Sequence, residues 1–357
     1  MSTSSKTILI VAGGTGGHIF PGLSVAQTLR DRGWVVQWAG NPQAMEGRLV
    51  PAQGIALNSL VFSGFRGKGL FAQLLMPLKL LKAFWTSVQI LRKTKPNVVL
   101  GMGGYVAFPM GMMASFLNIP LVVHEQNSIA GLTNKALARL ADRNLVAFPH
   151  ALQKGHWVGN PVRQTMNAQG EPAARFEGRQ GPLKLLVLGG SLGAQALNAV
   201  VPQAVARLPK AEQPLVTHQA GEKNLDALQA NYSAAGVEAQ CTAFIDDVAQ
   251  AMAGADVLIC RAGAMTVAEV AAVGVAALFV PFPHAVDDHQ THNAAFLADE
   301  QAAWLCQQHE LTVEWLYAWL KGLNRQACLE MATRAKAMAK PNATDDVVEH
   351  IEQVAKT

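Results

Sequence analysis

A short apolar run that ends in glycines and opens a helix occurs twice in this chain, and that repeat limits the fold more than any other feature. Thr7 to Ala12 runs into Gly13-Gly14-Thr15-Gly16-Gly17-His18, and a helical pattern through Leu23, Ala26 and Leu29 follows. Leu183 to Leu188 runs into Gly189-Gly190-Ser191-Leu192-Gly193, and a helix through Ala196, Val200 and Val205 follows. The two loops start 176 residues apart in a chain of 357, so each half restarts one pattern. Uninterrupted apolar strands alternating with helices belong to parallel sheets covered on both faces. The predicted fold is therefore α/β, two Rossmann-like doubly wound sheets facing across a cleft, with ligands at the carboxyl ends of the strands.

Further strands are expected at Trp34–Ala39, Val98–Leu100, Leu121–Val123 and Asn144–Ala147 in the first half. In the second half they are expected at Leu215–His218, Val257–Cys260 and Ala277–Val280. Arg163 to Pro182 is polar and reads as the linker. After Pro341, Thr344 is placed to cap a last helix whose Val347, Val348, Ile351 and Val354 form one buried face.

Composition removes several classes. With 50% hydrophobic and 15% charged residues the chain is far from the disordered class. A net charge of +4 is too small for wholesale nucleic-acid binding, so no nucleic-acid partner is expected. The charge is unevenly placed, however. Between Gly47 and His124 there is no Asp or Glu, while Arg48, Arg66, Lys68, Lys79, Lys82, Arg92, Lys93 and Lys95 give +8, leaving −4 for the rest. Such asymmetry fits either an anionic partner or a basic solvated face. Cys241, Cys260, Cys306 and Cys328 are far apart and read as buried or free thiols of a reducing compartment. The polar start, Met1 to Lys6, does not read as a signal peptide. Val98 to Val123 is uncharged and long enough to span a bilayer, but its glycines and prolines divide it into core elements.

The glycine loops suit a phosphate, because backbone N–H groups and a helix N-terminus can approach it closely. No G-x-x-x-x-G-K-[ST] occurs, and the first loop lacks G-x-G-x-x-G with a following acidic residue, so P-loop and nicotinamide chemistry are not expected. Gly101-Met102-Gly103-Gly104-Tyr105 ends another strand, and two loops in one domain can cradle a diphosphate; tight turns without a ligand are the alternative. His18 falls in the first helical turn, where the dipole favours neutral imidazole, and it is a candidate general base. Gly189-x-Ser191-x-Gly193, with Asp256 or Asp287 and then His289, also matches a hydrolase nucleophile elbow. The spacing of His284, His289 and His292 does not match a helical zinc pair, so no metal and no cofactor is expected. In Arg261-Ala262-Gly263-Ala264-Met265-Thr266-Val267-Ala268-Glu269, a carboxylate one to two turns into a helix can accept from a ribose diol. From Phe71 to Leu91, Leu74, Leu78, Leu81, Trp85 and Val88 trace a stripe expected to face the core. Phe71, Leu75, Met76 and Leu80 lie off it, near Lys79 and Lys82. An apolar patch ringed by lysines is the pattern of a membrane-surface helix.

These motifs, with His124-Glu125-Gln126-Asn127, Gly159-Asn160-Pro161-Val162-Arg163, Phe244-Ile245-Asp246-Asp247 and Pro281 to Asn293, resemble the MurG family over nearly the whole chain. These are bacterial undecaprenyl-pyrophosphoryl-muramoyl-pentapeptide N-acetylglucosaminyltransferases. The resemblance implies a GT-B fold and transfer of N-acetylglucosamine from its UDP donor to the 4-hydroxyl of a lipid-linked muramoyl pentapeptide, with inversion. It implies an acceptor- and membrane-binding domain over 1–162, onto which 341–357 packs, and a UDP-sugar domain over 163–340. His18 is the implied base. Thr15, Gly16, Gly17, Asn127, Arg163, Ser191, Ile245, Ala264 to Glu269 (Met265, Thr266, Val267 and Ala268 between them) and Gln290 are the implied donor contacts. Gly14, Gly103, Gly104 and Tyr105 are expected at the acceptor diphosphate, and Phe71, Leu75, Lys79, Lys82 and Trp85 at the membrane. The implied location is peripheral, on the cytoplasmic face of the inner membrane, among the cell-wall synthesis proteins. Ala262, where some members have Ser, and Leu192, where a polar residue is usual, depart from the pattern. Another UDP-sugar transferase is the nearest alternative; a nucleotide-sugar-binding protein explains the loops but gives His18 no task.

Overall fold

The computed structural model describes residues 5–62, 75–190 and 193–355. Ser191, Leu192, Phe71 and Leu74 lie outside the described residues. The chain divides into two units, Met1–Arg163 with Asn342–Thr357, and Gln164–Pro341.

The first unit holds a parallel sheet built from β1 (Thr7–Ala12), β2 (Val35–Gly40), β3 (Ala56–Ser59), β4 (Val98–Gly103), β5 (Leu121–Glu125), β6 (Arg143–Val146) and β7 (His156–Trp157). Their order is β3-β2-β1-β4-β5-β6-β7, so the winding reverses between β1 and β4. Ile8 to Ala12 and Val98 to Leu100 are completely buried, as strands covered on both faces require. Val98 to Val123 resolves into β4, a helix over Ala107–Phe116 and β5. The last helix, Ala343–Val354, buries Val347, Val348, Ile351 and Val354 in this unit's core beside Ile8 and Leu29. Its N-cap is Asn342, two residues before the expected cap Thr344.

The second unit repeats the plan with β8 (Lys184–Leu188), β9 (Leu215–Gln219), β10 (Ala239–Thr242), β11 (Val257–Cys260), β12 (Ala276–Phe279) and β13 (Trp304–Leu305). Here the order is β10-β9-β8-β11-β12-β13, again parallel, with the reversal between β8 and β11.

Two expectations need correction. Arg163 to Pro182 is not an open linker, because Phe176 enters the second unit's core. The Arg175 guanidinium ties the carbonyls of Ala253, Val273 and Gly274, and Arg179 pairs with Asp256 at 2.7 Å. Polar residues here face backbone carbonyls, which a reading by polarity mistakes for solvent. The second correction concerns the helix Met76–Thr94. Its buried face is Ala83, Ser87, Ile90, Leu91 and Thr94, whereas Leu78, Leu81 and Trp85, expected in the core, are 65%, 63% and 63% exposed. The two hydroxyls can be buried because Ser87 and Thr94 donate back to the carbonyls of Ala83 and Ile90, both at 2.8 Å.

Candidate active site

In the first unit the loops after β1 and β4 leave neighbouring strands at the point where the winding reverses, the position at which doubly wound sheets bind ligands. Gly103 and Gly104 have φ of +105° and +80°, a region open to glycine. A Cβ on Gly103 would stand 2.9 Å from the His18 ring, so only glycine lets β4 pass the imidazole. The structure thus brings Thr15 to His18, Gly103 to Tyr105 and, beyond β5, Asn127 to one end of the sheet. Thr15 and Tyr105 are exposed there, and Gly16, Gly17, His18 and Asn127 are half-buried.

Two buried carboxylates organise this end. Glu46 accepts from the Gly14 amide at 3.3 Å and the Asn41 amide at 3.0 Å. The Gly14 N–H, expected at an acceptor diphosphate, is therefore already donated to the Glu46 side chain. Glu125 accepts from the amides of Asn127 (2.9 Å) and Gly131 (3.1 Å) and from Asn134 Nδ2 (2.9 Å), folding the 126–131 loop around itself. Between these carboxylates, His18 Nδ1 lies 2.6 Å from Gln126 Oε1, and Gln126 Nε2 lies 2.9 Å from His124 Nδ1. His124 is completely buried with Nε2 on the Gly159 carbonyl at 2.9 Å. Burial lowers its pKa to about 4, against the opposing pull of that carbonyl. Neither Glu46 nor the link through Gln126 is foreseen from the sequence, although the His124-Glu125-Gln126-Asn127 run holds the second.

In the second unit, Gln219 at the end of β9 clamps the glycine loop. Its Oε1 accepts from the Gly190 amide (3.1 Å), and its Nε2 donates to the carbonyls of Gly190 (3.1 Å) and Ala243 (2.9 Å). This ties the loop to the segment leading to half-buried Ile245. Gln219 is another residue that sequence reasoning passes over. Arg261, just after β11, donates to the carbonyls of Val280 and Pro281 (both 3.1 Å) and to Gln308 (2.6 Å), shaping the turn beyond β12. Burial lowers its pKa. The helix Ala264–Val273 starts from Gly263, an N-cap residue with no side chain of its own to cap it, and half-buried Glu269 lies on its second turn. Gln290, in the first turn of His289–Ala298, accepts from the Phe282 amide at 3.0 Å. Arg163 is exposed and closes the first unit's main segment.

The hydrolase alternative loses Asp256, one of its two candidate acids. Asp256 is completely buried, bound by Arg179 (2.7 Å), Arg325 (3.2 Å) and the amide of Lys184 (2.9 Å), which begins β8. It therefore sits at the opposite end of the sheet from Gly189. Burial pushes its pKa up, but the Arg179, Lys184 and Arg325 bonds outweigh this and leave it lowered. Buried Cys306 and Cys328 have pKa values raised to about 11 and about 12 by burial, so neither is a ready nucleophile. Among the described residues no three His, Cys, Asp or Glu side chains converge as a metal would need.

Residues 8–146 match the glycosyltransferase family 28 N-terminal domain, and residues 184–351 match the family 28 C-terminal domain. Two such domains in this order define the class, a family 28 glycosyltransferase. The chain is 59% identical over 352 residues to the UDP-N-acetylglucosamine–N-acetylmuramyl-(pentapeptide) pyrophosphoryl-undecaprenol N-acetylglucosamine transferase of Paracidovorax citrulli (strain AAC00-1), covering 99% of each chain. It is 59% identical over 354 residues to the enzyme of that name from Cupriavidus pinatubonensis, again covering 99% of each. The crystal structure of Acinetobacter baumannii MurG superposes with a TM-score of 0.87 at 42% identity, covering 98% of this chain and 99% of that one. The chain belongs to this MurG family of N-acetylglucosamine transferases, and its two parallel-sheet α/β units are GT-B-like.

Proposed function

We propose that the chain transfers N-acetylglucosamine from UDP-N-acetylglucosamine to the 4-hydroxyl of undecaprenyl-pyrophosphoryl-muramoyl-pentapeptide, inverting the anomeric centre in one displacement. His18 takes the acceptor proton as the new C–O bond forms and the bond to UDP breaks. The observation that carries this reading is the seating of His18 between two glycine loops at the first unit's strand reversal, against Gly103. The donor's uracil meets the backbone at Ile245, its ribose diol meets Glu269, and Gln290 turns its amide N–H groups to the sugar. The N-terminus of Ala264–Val273, with Arg163 and Ser191, stabilises the diphosphate as charge grows on it. Thr15, Gly16, Gly17 and Asn127 hold the transferred sugar, and the amides of the Gly103–Tyr105 turn hold the acceptor diphosphate.

The helix Met76–Thr94 supplies the membrane contact in this reading. Leu78, Leu81 and Trp85 project beside exposed Lys79, Lys82, Arg92 and Lys93, an apolar stripe edged by cations that suits an anionic lipid surface. Leu75 is half-buried at its start. In this reading the attachment is peripheral, on the cytoplasmic face; no helix among the described residues is long and apolar enough to cross a membrane. The decisive assay is product formation from UDP-N-acetylglucosamine and the lipid-linked acceptor, with and without chelator. Equal rates in both support the reading; no transfer to that acceptor would refute it.

A further inference from the structure

We infer that Gln126 is the positioning residue of the base: a hydrogen-bond chain from the Gly159 carbonyl through His124 and Gln126 fixes the proton of His18 on Nδ1 and leaves Nε2 to take the acceptor's proton. The inference rests on the reading of His18 as base given above.

The chain begins at an atom that can only accept. The Gly159 carbonyl oxygen lies 2.9 Å from His124 Nε2, so that nitrogen carries the proton. Complete burial, which keeps the pKa of His124 near 4, makes the ring neutral, and a neutral imidazole has one N–H. His124 Nδ1 is therefore a lone pair, and the atom of Gln126 facing it at 2.9 Å must be the amide nitrogen. A second acceptor demands the same orientation, because the His124 carbonyl lies 3.0 Å from that nitrogen. Reversing the amide would set its oxygen against a lone pair and a carbonyl at once. Gln126 is only 1% exposed, so no bulk solvent relieves such a clash.

With its nitrogen so placed, Gln126 presents Oε1 to His18 Nδ1 at 2.6 Å, and an amide oxygen only accepts. His18 Nδ1 is thus the donor, and in the neutral ring Nε2 holds the lone pair. The backbone keeps the chain in register, since Asn160, next to Gly159, donates Nδ2 to the Gln126 carbonyl at 3.0 Å. Gly103, 2.9 Å from the ring by its missing Cβ, guards the Nδ1 edge. The device does for this imidazole what a buried carboxylate does for the histidine of a hydrolytic triad, with a neutral amide in place of the charge.

The test is the tautomer of His18 in the full-length chain, read from long-range 1H–15N correlation spectra of the imidazole nitrogens and assigned by loss of the signals in His18→Ala. The wild type is expected as Nδ1–H. Gln126→Met keeps the volume and removes all three side-chain bonds; it should lose that preference and lower kcat about tenfold or more with KM for both substrates unchanged. Gln126→Glu, held as the acid with its proton on the oxygen that faces His124 Nδ1 and the His124 carbonyl, still turns an accepting oxygen to His18 and should keep Nδ1–H. A wild-type His18 found as Nε2–H, or a Gln126→Met chain with wild-type tautomer and kcat, would overturn the relay. Wild-type turnover in His18→Ala would instead overturn the base reading beneath it, whatever the tautomer.

Discussion

The two glycine-loop ends share a strand plan but are pinned by opposite chemistry. In the first unit the loops are held by buried carboxylates, Glu46 on the Gly14 amide and Glu125 on the Asn127 and Gly131 amides. In the second unit the glycine loop is held by the neutral amide of Gln219, and the turn beyond β12 by Arg261 and Gln290. A buried carboxylate bound to arginines in that unit, Asp256, lies at the far end of the sheet. Carboxylates near a loop compete with a bound anion, whereas neutral amides leave the local field to the helix N-terminus. The contrast suits the second end to a nucleotide diphosphate and the first to proton transfer, with an oriented imidazole.

Substitutions can break this contrast. The largest effect is expected for Asp256→Asn, which leaves Arg179 and Arg325 without their partner and should cost about 3 kcal/mol or more of stability in denaturant unfolding. Because Asp256 is far from the ligand end, the folded variant should bind UDP as before. Next comes Gly103→Ala, which puts a methyl against the His18 ring at a positive φ and should lower turnover about a hundredfold in steady-state assays, since small displacements of a reacting group cost that much. Gly190→Ala, at φ +77° with nothing within 4 Å, carries backbone strain of about 1 kcal/mol and no comparable loss of turnover.

Acid should weaken both units alike. Each buries a neutral histidine: His124 with its pKa lowered to about 4, and His218, between Tyr232 and Asn198, lowered to about 3 by burial. Unfolded histidines titrate near about 6.5 and bind protons that the folded ones refuse, so stability is full above that pH and is lost as pH falls below it. Between pH 7 and 5 the two should together remove about 2–4 kcal/mol, measurable by denaturant midpoint. A smaller effect than that of acid is expected at the membrane for each charge changed. Lys79→Glu with Lys82→Glu should weaken binding to phosphatidylserine vesicles by about 1 kcal/mol per lysine lost, more at low salt, with turnover on a soluble acceptor analogue unchanged.

The central strands were legible because they are buried on both faces and read as unbroken apolar runs. The strands that escape such reading, Ala56–Ser59, His156–Trp157, Ala239–Thr242 and Trp304–Leu305, are the edges of the two sheets, short and without a continuous apolar pattern. The helix Met76–Thr94 misleads for a related reason. Ser87 and Thr94 are buried through bonds to their own helix, so the apolar stripe and the buried stripe differ. Composition held one further clue. The acid-free window is bounded by Glu46 and Glu125, and both are withdrawn from the surface, each 1% exposed. The roles of Gln126 and Gln219 had no local signal, because an amide shows its partners only once distant strands are aligned.

The division of labour between the two ends is tested most directly by measuring UDP-N-acetylglucosamine affinity by calorimetry, and turnover at saturating donor, on His18→Ala and Glu269→Ala together. His18→Ala should bind the donor like wild type and lose about a hundredfold or more in turnover. Glu269→Ala should bind about tenfold or more weakly, through loss of charge-assisted hydrogen bonds, and recover most of its turnover when donor is saturating. Weak donor binding in His18→Ala with normal affinity in Glu269→Ala would contradict the account.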